Sequence, residues 1–115
     1  MDIDIVYSLE VDKRKGFSPT VEEFEYVIPS GKSVAVEIFQ GGHEYSSQEV
    51  RIELLERTAE EDVLINCGYG QNFTKKVGSD FVGDGDRKIV VRMTNGDTGD
   101  LHMTASWHGR IYDNG

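Results

Sequence analysis

Three histidines, one cysteine and twenty-one carboxylates are the side chains of this chain most able to do chemistry. His102 and His108 share a face of any extended strand, but six residues at about 3.3 Å each set them roughly 20 Å apart. A zinc ion with bonds near 2 Å cannot take both. No Gly-x-Ser-x-Gly elbow occurs, and no cysteine–histidine signature marks a nucleophile. Cys67 keeps step with Val63 and Ile65, as a small inward-facing side chain does. Glycoside hydrolysis needs two carboxylates across a cleft, and nothing in the pattern selects a pair. Gly68-Tyr69-Gly70 and Gly83-Asp84-Gly85-Asp86 lack the Lys-Ser/Thr ending of a phosphate loop. Gly31-Lys32-Ser33 has that ending without the first glycine or the strand–loop–helix setting. The expectation is a protein without catalysis and without a resident cofactor.

A hard cation is the best-supported metal. Asp80, Asp84 and Asp86 surround one turn, and Asn95, Asp97 and Asp100 another. Loops rich in such oxygens suit calcium, and Asp80, Asp84 and Asp86 are its candidate ligands. The competing reading is turn formation, for which Asp, Asn and Gly are the ordinary residues. Among the aromatics, Tyr7, Tyr26, Tyr69 and Trp107 fall in phase with aliphatic residues and are expected in the core. Tyr45 and Phe17 lie in loops, and Phe39 has the phase opposite to Val36 and Ile38. Tyr45, Phe39 and Phe17 are therefore the candidate contacts for a partner or ligand.

The elements that must position these residues show a two-residue rhythm. Ile3, Ile5, Tyr7, Leu9 and Val11 alternate with Asp2, Asp4, Ser8, Glu10 and Asp12, and only Val6 breaks the polar side. Leu101, Met103, Ala105 and Trp107 alternate with His102, Thr104, Ser106 and His108. Successive side chains of a strand point to opposite faces, so each run has one oily and one wet face. Further strands are expected near 20–28, through Val34, Val36 and Ile38 up to Gly41-Gly42, and near 49–55, 62–69, 72–77 and 87–94. Pro29-Ser30-Gly31-Lys32, Gly83-Asp84-Gly85-Asp86 and Asn95-Gly96-Asp97-Thr98-Gly99 read as turns. About eight short strands at this spacing predict an all-β, single antiparallel β-sandwich, jelly-roll-like, occupying residues 1–115 as one domain. One segment admits an alternative. Ser46-Ser47-Gln48-Glu49 has the form of a helix capping box, and residues 46–61 tolerate helical spacing, which would make the fold α+β. The β-branched Val50 and Ile52 favour a strand.

Composition bounds the function. A chain of 115 residues holds one core, and 37% hydrophobic residues suit strands with one wet face. The formal charge of −9 argues against nucleic acid, whose phosphates are neutralised by Lys and Arg. No stretch approaches the roughly 20 apolar residues of a membrane helix, and Met1–Ile5 does not have the form of a secretory signal. With a single cysteine no intramolecular disulfide forms, and the chain is expected to fold reduced in the cytoplasm.

Residues about 21–112 resemble, in layout, small β-sandwich proteins of tailed-bacteriophage virions. The stretches that carry this are Val27-Ile28-Pro29-Ser30-Gly31-Lys32, Gly68-Tyr69-Gly70-Gln71-Asn72-Phe73, and Phe81-Val82-Gly83-Asp84-Gly85 before Arg87-Lys88-Ile89-Val90-Val91-Arg92. The resemblance implies a capsid- or tail-associated structural protein, assembled in the host cytoplasm, that associates with itself and with other virion proteins. Association through strand edges, or through Phe39 and Leu55, is the expected route. The rival expectation is a free-standing carbohydrate-binding module that binds surface glycans, with calcium assisting.

Overall fold

The computed structural model describes residues 1–44 and 49–113. Eight strands form: β1 (Asp2–Val11), β2 (Thr20–Val27), β3 (Lys32–His43), β4 (Val50–Arg57), β5 (Asp62–Gly68), β6 (Phe73–Val82), β7 (Lys88–Asn95) and β8 (Leu101–Asp113). They build two four-stranded antiparallel sheets with orders β1-β8-β3-β6 and β2-β7-β4-β5. Strands β1 and β8, β2 and β7, β3 and β6, and β4 and β5 are neighbours, nested around the β4–β5 hairpin. That nesting is the jelly roll of the sequence expectation. The helical alternative is settled over Val50–Arg57, which is strand; residues 46–48 lie outside the described residues. Among the described residues no helix is long and apolar enough to cross a membrane.

The rhythm of β1 becomes strict alternation between exposed and half-buried residues. Between the sheets lie Trp107, Phe39, Phe81, Ile52, Leu54, Ile89, Met93 and Met103, with Tyr7, Phe24 and Tyr26 half-buried against them. Tyr7 stacks on Phe24 at 4.6 Å between ring centres, and the Tyr26 ring meets Trp107 edge-on at 5.4 Å. The first contact joins the β1 and β2 edges and the second ties β2 to β8, ring geometries that add to the area they bury.

Four apolar residues depart from expectation. Register slips between Val36 and Ile38 on β3, leaving Glu37 as an extra residue against β8. Such a bulge reverses the face of the residues beyond it, so Phe39 is fully buried against Phe73 and does not meet a partner. A second slip, between Leu64 and Asn66 on β5, turns Cys67 and the following Tyr69 outward, where Cys67 is half-buried and Tyr69 is 55% exposed. Tyr69 is therefore not a core aromatic. Leu55 is also not available to a partner, although it does face away from the core.

The reason for Leu55 is a lattice of charges. Cross-strand rows on the outer face of the second sheet run Glu23–Arg92–Glu53–Cys67, Glu25–Val90–Leu55–Leu64 and Val27–Lys88–Arg57–Asp62. Arg57 reaches over the middle row. Its guanidinium donates to Glu23 at 2.8 Å, Glu25 at 3.0 Å and Asp62 at 2.7 and 2.9 Å, roofing Val90 and Leu55. Arg92 adds bonds to Glu23 and Asp62, and Lys88 one to Glu25. The Arg57 hydrogen bonds, first among the causes, hold the carboxyls of Glu23 and Asp62 below their usual range, and Lys88 leads at Glu25.

Candidate functional site

The connection from β1 to β2 makes the most prominent feature of the surface. Lys15 and Ser18 exchange backbone hydrogen bonds of 3.0 and 3.1 Å across Gly16-Phe17. Gly16 has φ +63°, and among the described residues none other than glycine has positive φ, so the two central residues fit a type II′ turn. Only glycine takes that first position without strain. Phe17 stands at the tip, wholly exposed.

Backbone and side chains brace this turn. Lys13 N–H donates to Asp100 Oδ1 at 2.8 Å, Arg14 N–H to Asp97 O at 3.0 Å, and the Thr20 hydroxyl to Lys13 O at 2.9 Å. Beneath them sits Asn95, fully buried at the end of β7. Its amide nitrogen lies 3.0, 3.1 and 3.0 Å from the carbonyls of Val11, Asp12 and Gly99, while its oxygen accepts the Asp97 N–H at 2.9 Å. One amide thus ties the end of β1, the turn's approach and the β7–β8 loop together.

Beside the turn lies a cavity of about 310 Å³ lined by Arg14, Phe17, Pro19, Glu49, Arg51, Tyr69, Thr94 and Gly96. Gly96 lets the β7–β8 loop close on Glu49: a Cβ there would lie 2.6 Å from the Glu49 carbonyl oxygen. The charges inside are matched, Arg14 with Glu49 at 3.2 Å and Arg51 with the buried Glu53 at 3.4 Å. Hydrogen bonding with the Cys67 thiol raises the Tyr69 phenol, and the Arg51 guanidinium opposes it. The cup therefore offers two ring faces, a proline and two guanidinium groups on fixed backbone, features suited to gripping a partner's side chain.

The other candidates separate. Tyr45 lies outside the described residues. Asp80 is on β6 opposite Ala35, not in the turn. Asp84 Oδ1 accepts the N–H groups of Asp86 at 2.8 Å and Arg87 at 2.7 Å, which hold its carboxyl below the usual range and shape the turn. Asp80, Asp84 and Asp86 do not form a metal-ligand grouping; among the described residues Glu10, Glu44 and His102 do, each offering an atom within 4.8 Å of the others. His102 is engaged there already, Nε2 with Ser8 Oγ at 3.0 Å and Nδ1 with Glu10 at 3.4 Å.

The outer face of the first sheet carries a different surface. Rows Val6–Ser106–Gln40–Thr74 and Ser8–Thr104–Gly42 bear no charge, and they lie between the Asp4–His108 and Glu10–His102 rows, each of which sets an acid beside a histidine. A groove of about 330 Å³ follows them, lined by Val6, Gln40, Gly41, Gln71, Asn72, Thr104, Ala105 and Ser106. Loop composition points to Phe17, whereas neither alternation nor motif singles out Tyr69, Arg14 and Arg51. No known family model, curated protein or solved structure matches this chain.

Proposed function

We propose that this chain is a non-enzymatic structural and attachment protein that works by self-association and by docking, with the Phe17 cup as its docking contact. One observation carries this reading: a phenylalanine wholly exposed on a turn that hydrogen bonds hold still. Exposing such a ring to water is unfavourable by about 2 kcal/mol relative to burying it, and a braced turn loses little entropy when a partner covers it. The arginines and carboxylates near it are matched with each other, which suits recognition more than proton transfer. The jelly roll is shared by capsid and lectin domains, a fold-level analogy only. Together with the layout resemblance of residues 21–112, it supports a capsid- or tail-associated place in a tailed-phage particle. Immunogold labelling of particles from the producing cells tests this: label on particles is expected, and label confined to the particle-free fraction overturns it.

The uncharged groove favours a second reading, glycan attachment. Amides and hydroxyls in neutral rows match the donors and acceptors of a sugar. On a glycan array this reading expects binding by the wild type that Gln40→Ala and Asn72→Ala abolish; an array without signal removes it.

A further inference from the structure

Among the described residues each sheet ends in two edge strands with one side of the backbone unpaired: β1 and β6 in the first, β2 and β5 in the second. Edges of this kind template pairing with another chain unless charges, bulges or shortness blunt them. Three of the four are blunted. β2 sets the charge of Glu22 on the inner side of the edge, opposite the buried Met93. β6 carries Lys75 and Lys76 and a Gly78 with φ +63° where the register slips. β5 has seven residues, broken by the slip at Ile65. β1 alone keeps ten residues in unbroken register with β8, and Val6 at its centre is 69% exposed on the outer face.

We infer that β1 pairs antiparallel with β1 of a second copy about a two-fold axis at Val6, joining the two first sheets into one of eight strands. This deepens the self-association part of the proposed function and rests on it. The sequence Asp2-Ile3-Asp4-Ile5-Val6-Tyr7-Ser8-Leu9-Glu10 reads the same in polarity from either end. About Val6, antiparallel pairing sets Ile5 against Tyr7 and Ile3 against Leu9 of the second copy on the inner side. All four are half-buried in the single chain and packed on the core, so pairing extends the apolar layer across the seam. On the outer side Val6 meets Val6, and Asp4 meets Ser8. A two-fold axis through Val6 keeps these inner residues opposite apolar ones and sets the most exposed apolar residue of β1 against its own copy.

Charge permits this register. Asp2 faces Glu10 of the second copy, but each acid of β1 already has a basic side chain, arginine or histidine, beside it on β8. Arg110 stands 3.8 Å from Asp2, His108 bonds Asp4, and His102 lies 3.4 Å from Glu10. The basic run Lys13-Arg14-Lys15 follows β1, at the end where Asp2 of the second copy arrives.

Sedimentation velocity on the intact chain tests the pairing. Residues directly opposite in such a ladder have Cβ atoms about 5 Å apart, and like charges there repel. The wild type is expected to dimerise with concentration. Val6→Lys and Val6→Glu each raise the dimer dissociation constant about tenfold or more, with unchanged melting because the position faces solvent. An equimolar mixture of Val6→Lys and Val6→Glu chains restores the dimer, since opposite charges then meet. A wild type monomeric up to about 1 mM, a Val6→Lys dimer as tight as wild type, or a mixture no better than its components overturns the inference. Phe17→Ser dimerises as the wild type does. Loss of docking with dimerisation intact therefore refutes the cup, and the reverse refutes the β1 register.

Discussion

Replacing Asn95 by aspartate exchanges one NH2 for one oxygen at the point where three chain segments meet. The fully buried Asn95 amide serves the carbonyls of Val11, Asp12 and Gly99. Its two hydrogens make two full hydrogen bonds, one of them shared between carbonyls, and each is worth about 1 kcal/mol net. The variant loses both and strands buried acceptors at roughly 1–3 kcal/mol more. The sum is about 3–5 kcal/mol, a large share of the roughly 5–15 kcal/mol that holds a domain folded. For a chain of this size that corresponds to a melting temperature lowered by roughly 12–20 °C. Calorimetry and urea unfolding at pH 7 read the loss directly. Below about pH 5 the gap from wild type narrows, because a protonated carboxyl regains one donor. Hydrogen exchange should speed at the Lys13 and Arg14 amides, which the β7–β8 loop holds. A loss under about 1 kcal/mol would refute the assignment of Asn95 as the tie beneath the cup.

The same contacts set further outcomes. Phe39→Ala is expected to cost about 3–5 kcal/mol and Phe17→Ala less than about 0.5 kcal/mol in denaturant titrations, since one ring is buried and the other wholly exposed. Arg57→Met removes the centre of the outer lattice and lowers stability at pH 7 by roughly 1–2 kcal/mol. Because Glu23, Glu25 and Asp62 are held below their usual range, wild-type stability is full above an unfolded carboxylate pKa near 4. It falls on acidification through the lower folded values, and the variant's acid slope is shallower. His43 is buried with neither ring nitrogen bonded among the described residues, and burial lowers its pKa against the field of Asp97. Its contribution is complete above an unfolded pKa near 6.5 and declines below it by at most about 1.4 kcal/mol per pH unit. In His43→Leu, chemical unfolding at pH 7.5 and 5.5 shows that decline reduced.

Alternation in β1 and β8 made the sandwich legible, because each strand has one wet face and its pattern survives intact. The residues misread by alternation lie beyond a register slip. Val36-Glu37-Ile38-Phe39 holds more apolar residues than one face accepts, and the bulge at Glu37 decides for Phe39. That ambiguity is written in the adjacent Ile38-Phe39; the decision is not, since it depends on β8. Counting by twos from Val63 likewise fails at Cys67 and Tyr69 because Ile65 is skipped in the ladder with β4. Leu54-Leu55 hides a different cause: both are buried, one by the core and one by an arginine reaching from a neighbouring row. Phe17 was legible from its loop, but its companions come from three other segments. Asn95 looked like an ordinary turn residue, and only the meeting of β1 with the β7–β8 loop gives it three carbonyls to hold.

Binding of the purified chain to particles isolated from the producing cells and cleared of any bound copies tests the proposed docking most directly. The wild type should bind saturably and Phe17→Ser should not, although both melt alike and dimerise alike. Equal binding by the two chains, or none by the wild type, would contradict the claim that an exposed phenylalanine on a braced turn is how this protein holds its partner.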